Sequence, residues 1–187
     1  MSIPPTETPH PPPRRHARSL VLLHTGDGKG KTTAAMGILM RALGRGWRAC
    51  VVQFVKSGDW KVTEERVARE LGAEWTTVGD GFTWESDDLG RARVLALEAW
   101  AAAEERIGSG EFDLVVLDEV TYPVTWGWLD AQRVAGAIRE RPAHVNVVMT
   151  GRDAATELVE VADTVTEMRK VRHAYDAGVP ARRGIDF

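Results

Sequence analysis

Short apolar runs alternate with longer amphipathic segments along most of this chain. The apolar runs are rich in β-branched residues and predict strands at 20–24, 48–54, 74–78, 113–118, 145–150 and 164–168. Helical periodicity between them predicts helices at 31–43, 62–71, 87–107, 130–139 and 153–161. Because strands and helices alternate, the pattern is typical of βαβ units. It therefore predicts an α/β fold with a single doubly wound, mostly parallel sheet.

The first nineteen residues, "MSIPPTETPHPPPRRHARS", do not follow this alternation. Proline removes backbone donors and disfavours helix, and polar residues make up most of the remainder. We therefore predict a proline-rich, disordered or extended arm over residues 1–19 and a single folded domain over residues 20–187.

Composition narrows the class of protein without identifying it. The 187 residues are 43% hydrophobic and 27% charged with a net charge of −3, as in ordinary globular proteins. This charge argues against a predominantly nucleic-acid-binding surface. The single cysteine, Cys50, lies in an apolar run and is expected to be a buried structural thiol. No apolar stretch has the length of a membrane span and no signal peptide is recognisable, so we expect a cytoplasmic protein.

One glycine-rich stretch, "HTGDGKGKTTAAM", ends like a phosphate-binding P-loop but begins differently. The usual pattern, G-x-x-x-x-G-K-[ST], requires a glycine five positions before Gly30. Thr25 occupies that position here, and the nearest earlier glycines are Gly26 and Gly28. The first glycine of the usual pattern is therefore missing from its position.

The predicted strand, glycine-rich turn and helix together suit a phosphate chain. Glycines let backbone N–H groups approach an anion, and the helix N-terminus adds partial positive charge. Lys31 supplies a full charge, and Thr32 offers a hydroxyl to Mg²⁺. The stretch predicts a nucleotide site, with a ligand-free glycine turn as the alternative.

A second anchor is the run "LVVLDE", an apolar strand that ends in two acids. It resembles a Walker B element, in which an acid reaches Mg²⁺, and either Asp118 or Glu119 could fill that role. In a hydrolase the second acid can instead orient an attacking water. The alternative is a strand that merely ends in solvated acids.

Four further segments are candidates for ligand contact. Phe82 and Trp84 lie in the glycine-flanked stretch "GDGFTWESDD" and either face a ligand or anchor a loop on the core. Trp126 and Trp128 pose the same question, and for them we expect packing. Arg152, in "TGRD" after a strand, is a candidate nucleotide or substrate contact. The basic tail after residue 168 suits a solvated end, an anion contact or a nucleic-acid patch.

Seven segments taken in order resemble the ATP:corrinoid adenosyltransferases, and more narrowly the cob(I)yrinic acid a,c-diamide adenosyltransferases. They are "HTGDGKGKTTAA", "VVQFVK", "GFTWES", "VVLDEVTYP", "MTGRD", "ADTVTEM" and "DAGVPARRGIDF". The resemblance extends from about residue 20 to residue 187. It implies a RecA-like P-loop fold, a homodimer and an external electron donor for cobalt.

The resemblance also implies a reaction and a set of site residues. ATP would lie reversed along the loop, a Co(I) corrinoid would attack the ribose C5′, and the whole triphosphate would leave. Lys31, with Mg²⁺ contacted by Thr32 and Glu119, would offset the charge that grows on the triphosphate. Phe82 and Trp84 match aromatics that line the corrinoid face. The residues then expected to bind ATP are Thr25, Gly26, Asp27, Gly28, Lys29, Gly30, Lys31, Thr32, Thr33 and Arg152.

Two other functions stay open on the sequence alone. A P-loop ATPase or phosphotransferase would use Glu119 to orient a nucleophile toward the γ-phosphate and would yield ADP. A RecA-like nucleic-acid-binding module would use the basic tail, against which the net charge of −3 argues.

Overall fold

The computed structural model describes residues 17–55, 63–78 and 89–186, which form one six-stranded sheet covered by helices. The strands are β1 (Val21–Thr25), β2 (Ala49–Phe54), β3 (Glu74–Val78), β4 (Leu114–Asp118), β5 (Asn146–Thr150) and β6 (Thr164–Glu167). The helices are α1 (Lys31–Gly44), α2 (Thr63–Glu70), α3 (Leu89–Ser109), α4 (Thr121–Thr125), α5 (Ala131–Arg139) and α6 (Thr156–Val161). A 3₁₀ turn, Ala174–Ala177, lies in the tail.

The sheet has the strand order β3-β2-β4-β5-β1-β6, and all of its strand pairs are parallel. The predicted α/β class with a doubly wound parallel sheet is therefore confirmed. The strand order places the ends of β1 and β4 on either side of β5. The glycine loop after β1 and the acids at the end of β4 consequently lie at the same edge, where α/β proteins bind ligands.

Helices cover both faces of the sheet, and each face has its own apolar core. Trp100 of α3 and Leu158 of α6 pack with Phe54 on one face. Leu39 of α1 packs with Trp75 on the other face. Strands β2 and β4 are buried at every position because both of their faces are covered. This explains why their sequences read as continuous apolar runs rather than as alternating ones.

Two helices differ from the predicted pattern. Helix α4 was not predicted, because its five residues include Pro123 and give too short a stretch for periodicity. Helix α6 begins at Thr156 rather than near 153, since Asp153 takes a left-handed conformation with φ 49°. The predicted helix at 130–139 is present as α5, and Asp130 caps it by accepting a hydrogen bond from the backbone N–H of Arg133 at 2.8 Å.

Two other expectations concern single side chains. Trp126 stacks on Tyr122, with ring centroids 5.4 Å apart, and meets Trp128 edge-on at 4.8 Å, so these aromatics pack together as expected. Cys50 is buried, and burial raises the pKa of its thiol to about 12, which makes it unreactive.

Several predicted features lie outside the described residues. They are most of the proline-rich arm and the loop that carries Phe82 and Trp84. Among the helices that are described, none is long and apolar enough to cross a membrane.

Candidate nucleotide site

The glycine loop connects β1, which ends at Thr25, to α1, which begins at Lys31. Gly26 and Gly30 have φ values of 92° and 109°, a region that side-chain-bearing residues rarely adopt. Helix α1 has fourteen residues and begins directly behind this loop. Its unpaired N-terminal N–H groups therefore face the loop, where an anion would be stabilised.

Met168, the residue that follows β6, contacts the glycine loop on both sides of Gly26. The Met168 N–H donates to the Thr25 carbonyl at 2.8 Å, and the Met168 carbonyl accepts from the Gly28 N–H at 2.6 Å. A Cβ on Gly26 or Gly28 would lie only 2.5 or 2.7 Å from that carbonyl oxygen. Both glycines are therefore required for the close approach of residue 168, since Cβ atoms do not approach a backbone oxygen so closely.

The Lys31 ammonium turns back over this loop. Its Nζ donates to the carbonyls of Gly26 and Gly28 at 2.8 and 2.6 Å. Burial lowers the pKa of Lys31, and the positive charge of Arg152 lowers it further. Two cations that disfavour each other in one partly desolvated region are a typical arrangement for an anionic ligand.

Arg152 is exposed and lies on a turn that α4 holds in place. The Thr121 hydroxyl donates to the Arg152 carbonyl at 2.6 Å. The preceding Gly151 has φ 141°, and a Cβ there would lie 1.9 Å from the same hydroxyl oxygen. The unpredicted helix therefore determines where Arg152 leaves the sheet edge, opposite the loop.

Three polar side chains surround Asp118 behind the loop. We call this group the Asp118 cluster, and it consists of Asp118, Thr150, Gln53 and Thr32. The fully buried Asp118 carboxylate accepts at Oδ1 from the hydroxyls of Thr32 (2.9 Å) and Thr150 (2.7 Å). Its Oδ2 accepts from the Gln53 amide at 2.9 Å. Asp118 therefore connects the end of β4 to the first turn of α1.

Glu119, the second acid, has a different environment from Asp118. Its backbone is left-handed, with φ 64°, and its N–H donates to the Thr150 hydroxyl at 2.9 Å. A glutamate in this conformation is uncommon and is typical of functional sites, where neighbouring contacts hold it. Thr150 thus orders both consecutive acids, one through its hydroxyl proton and one through its oxygen.

The C-terminal tail also contacts the loop. The Lys170 N–H donates to the Asp27 carboxylate at 3.1 Å, and this bond is the main cause of the lowered pKa of Asp27. Lys29 forms an ion pair with Asp186 near the end of the chain. Together with Met168, the tail contacts three consecutive residues of the loop. These bonds place the tail against the predicted nucleotide site rather than on a separate surface.

The donor set of this site suits a magnesium–nucleotide complex. Hydroxyl and carboxylate oxygens are hard ligands, and Mg²⁺ with a nucleotide uses only one or two protein oxygens. The Thr32 hydroxyl and the Asp118 carboxylate lie 2.9 Å apart and meet this requirement. Within residues 17–55, 63–78 and 89–186, no group of three or more acidic, histidine or cysteine side chains could hold a metal ion by itself.

The structure brings together most of the predicted site residues and adds others. Thr25 to Thr33, Asp118, Glu119 and Arg152 meet at one sheet edge, whereas Phe82 and Trp84 lie outside the described residues. The residues at this edge that were not predicted from the sequence are Gln53, Thr150, Thr121 and Met168. Only Gln53 gave a signal, as the lone polar residue of an otherwise apolar strand.

A glycine loop before a helix, beside a buried acid at the carboxyl edge of a parallel sheet, defines an α/β protein with an anion-binding loop. The comparisons with known proteins make this class specific. Residues 17–187 match the model of the family described as ATP:corrinoid adenosyltransferase BtuR/CobO/CobP. The chain belongs to this family of enzymes, and the resemblance seen in the sequence is confirmed.

Curated relatives agree over most of their length. The corrinoid adenosyltransferase of Escherichia coli K12 is 41% identical over 170 residues, which cover 91% of this chain and 86% of the relative. The Pseudomonas aeruginosa enzyme is 42% identical over 175 residues, covering 92% and 86%. The Salmonella typhimurium enzyme is 40% identical over 170 residues, covering 91% and 86%.

Proposed function

We propose that this enzyme transfers the 5′-deoxyadenosyl group of ATP to the Co(I) centre of cob(I)yrinic acid a,c-diamide or cobalamin and releases triphosphate. The cobalt electron pair attacks C5′, the cobalt–carbon bond forms, and the C5′–O bond breaks. The bonding electrons leave with the triphosphate, and cobalt becomes formally Co(III). The observation that carries this proposal is the match of residues 17–187 to the corrinoid adenosyltransferase family, and the glycine loop with Lys31 supports a triphosphate as its ligand.

The protein's task in this reaction is to stabilise a leaving group. Negative charge on the triphosphate grows as the C5′–O bond breaks, and preorganised donors near it lower the barrier. Lys31 exchanges its two loop carbonyls for phosphate oxygens, and the N-terminal N–H groups of α1 face the same anion. Arg152 adds a second cation from across the sheet edge. The remaining N–H groups of the loop fix the register of the phosphate chain.

Magnesium belongs to the proposal because the donor set fits it. When bound, Mg²⁺ would neutralise part of the triphosphate charge. Thr32 would hold it together with Glu119 or Asp118, and the bonds to Asp118 keep the Thr32 hydroxyl at the mouth of the loop. If Glu119 is a ligand, Glu119→Gln raises the Mg²⁺ concentration needed for half-maximal turnover, because an amide is a poorer ligand. An unchanged Mg²⁺ dependence assigns the role to Asp118.

The corrinoid side of the site rests on the family resemblance. We propose that Phe82 and Trp84 form an apolar wall that excludes axial ligands from cobalt and so eases reduction of Co(II) to Co(I) by an external electron donor. Their alanine variants should then lose activity from Co(II) with a weak reductant far more than from pre-formed Co(I). Equal losses from both starting states, with a lowered melting temperature, would assign both residues to packing.

A homodimer is proposed on the same ground as the aromatic wall. Sedimentation of the purified protein at micromolar concentration tests it, and a single monomeric species would reject it.

Anaerobic mixing of the protein with MgATP and a chemically reduced corrinoid tests adenosyl transfer. We expect the Co(I) absorption to disappear while an alkylcobalt spectrum appears. Unchanged Co(I) absorption with slow ADP formation would favour the alternative, an ATPase or phosphotransferase acting at the γ-phosphate.

A further inference from the structure

Strand β2 carries one polar side chain in an otherwise apolar sequence, "ACVVQF", and every residue of the strand is buried. The polar residue is Gln53, which is only 1% exposed. It lies beside Asp118 in the parallel register of β2 and β4. Packing alone would be met by an apolar residue, as at the other five positions of the strand.

The amide of Gln53 is used on one side only. Its Nε2 donates to Asp118 Oδ2 at 2.9 Å. Its Oε1 is buried and has no hydrogen-bond partner among the residues that the structure describes. Turning the amide over would place this oxygen against the carboxylate, so the bond to Asp118 fixes the orientation. An unsatisfied buried acceptor is costly, and the charge-assisted bond at Nε2 offsets that cost.

This bond divides the two oxygens of Asp118 between different partners. Oδ2 accepts from Gln53, and Oδ1 accepts from Thr32 and Thr150. A carboxylate held at both oxygens cannot rotate about its terminal bond. Oδ1 therefore stays directed at the first turn of α1, where the Thr32 hydroxyl lies.

We propose that Gln53 is a positioning residue of the nucleotide site, acting through Asp118 to hold the Thr32 hydroxyl in place for MgATP. This inference rests on the proposed function only in taking MgATP as the ligand of the loop. It predicts that loss of the amide weakens MgATP binding without changing the chemical step.

The test compares Gln53→Met, which has similar length but no donor, with a matched control. The control is Thr77→Val, which also removes a polar group from the sheet. Thr77 pairs with Gln53 in the sheet register but lies one strand further from Asp118. Its hydroxyl accepts from the Trp75 indole N–H at 3.0 Å. We expect Gln53→Met to raise the Kd of MgATP and the half-saturating Mg²⁺ by about tenfold, the size typical of a lost bond to a charged group. Thr77→Val should leave both unchanged, and kcat at saturating MgATP should be similar in all three proteins.

A double-mutant cycle decides whether Gln53 acts through Thr32. In a Thr32→Val background, Gln53→Met should weaken MgATP binding much less than in the wild type, since the side chain that it positions is gone. An equal loss in both backgrounds, or wild-type Mg²⁺ dependence in Gln53→Met, overturns the proposal. Gln53→Leu is a second variant, and if neither it nor Gln53→Met folds, the residue is structural and the proposal is equally overturned.

Binding is measured by calorimetry without corrinoid, so failure of this inference is distinct from failure of the proposed reaction. A wild-type protein that binds MgATP but forms no cobalt–carbon bond would reject the reaction and leave the role of Gln53 intact. If the wild type transfers the adenosyl group normally and Gln53→Met binds MgATP as tightly as the wild type, the reaction is supported and the role of Gln53 is rejected.

Discussion

The glycine loop and the Asp118 cluster meet at Thr32, but they are built in opposite ways. The contacts of the loop are made largely by its backbone, as in the bond from the Gly28 N–H to the Met168 carbonyl at 2.6 Å. Its Lys29 side chain pairs with Asp186 of the C-terminal tail. The cluster consists of side chains, and Asp118 at its centre is fully buried among hydroxyl and amide donors. Asp27 and Lys29 of the loop are exposed to solvent, whereas Asp118 is shielded from it.

This difference indicates how the work of the site is divided. Lys31 donates to two carbonyls of its own loop, so we expect a phosphate chain to replace these contacts at small cost. Opening a bond to Asp118 would instead leave buried polar groups unsatisfied. The loop can therefore change its contacts when a ligand binds, whereas the Asp118 cluster holds the Thr32 hydroxyl in place. Substitutions in the loop should mainly change activity, and substitutions in the cluster should also lower stability.

The largest effect on activity is expected from Lys31→Ala in the loop. It removes the charge that faces the leaving group, and loss of such a donor typically slows turnover about 10²–10³-fold. Because the bonds of Lys31 within the described part of the chain go to two loop carbonyls, the melting temperature should stay close to that of the wild type. Near-normal turnover in a folded variant would remove the loop from the nucleotide site.

Thr150→Val tests the other side of the comparison. It removes a donor to Asp118 and an acceptor for the Glu119 N–H in a fully buried place, which should lower the free energy of unfolding by about 1–3 kcal/mol. Thr166→Val is the matched control, because Thr166 is an exposed threonine on the edge strand β6. Urea unfolding measures the free energy of unfolding of both variants. Equal values would show that the hydrogen bonds of the Asp118 cluster do not stabilise the protein.

Gly28→Ala tests whether close approach determines the loop shape. Its Cβ would meet the Met168 carbonyl, so the strand or the loop must move, at a cost typical of overpacking, about 1–3 kcal/mol. MgATP affinity should fall with stability. Gly37→Ala in α1 is the control, since nothing lies within 4 Å of its Cβ, and it should stabilise the helix slightly. If both variants bind MgATP like the wild type, the Met168 contact does not shape the site.

The smallest effect is expected from Asp186→Asn, which frees Lys29 from its ion pair in the tail. Exposed ion pairs contribute little to stability, so the melting temperature should not change. MgATP should bind about twofold more tightly at low ionic strength and equally at high ionic strength, because salt screens exposed charges. Weaker binding at low salt would mean that the tail supports the loop rather than competing for its lysine.

The sequence predicted the regular part of this molecule well and the site only in part. Buried strands between helices give apolar runs, which carry the fold class directly. Lys31, Thr32 and Asp118 were recognisable because their motifs are local. Gln53 meets Asp118, 65 residues away, through strand register, and Met168 meets Gly28, 140 residues away, just beyond the end of β6. No local pattern records such pairings. Helix α4 was not predicted because its five residues make fewer than two turns, too few to show helical periodicity.

We propose that the loop holds a triphosphate leaving group rather than a reacting γ-phosphate. The direct measurement is to follow ATP labelled in its γ-phosphate during an anaerobic reaction with Co(I) corrinoid and to separate the phosphate products by ion-exchange chromatography. We predict that the label appears in triphosphate, one equivalent for each cobalt–carbon bond formed. Label in inorganic phosphate with a matching amount of ADP would contradict the claim and assign the loop to ordinary phosphoryl transfer.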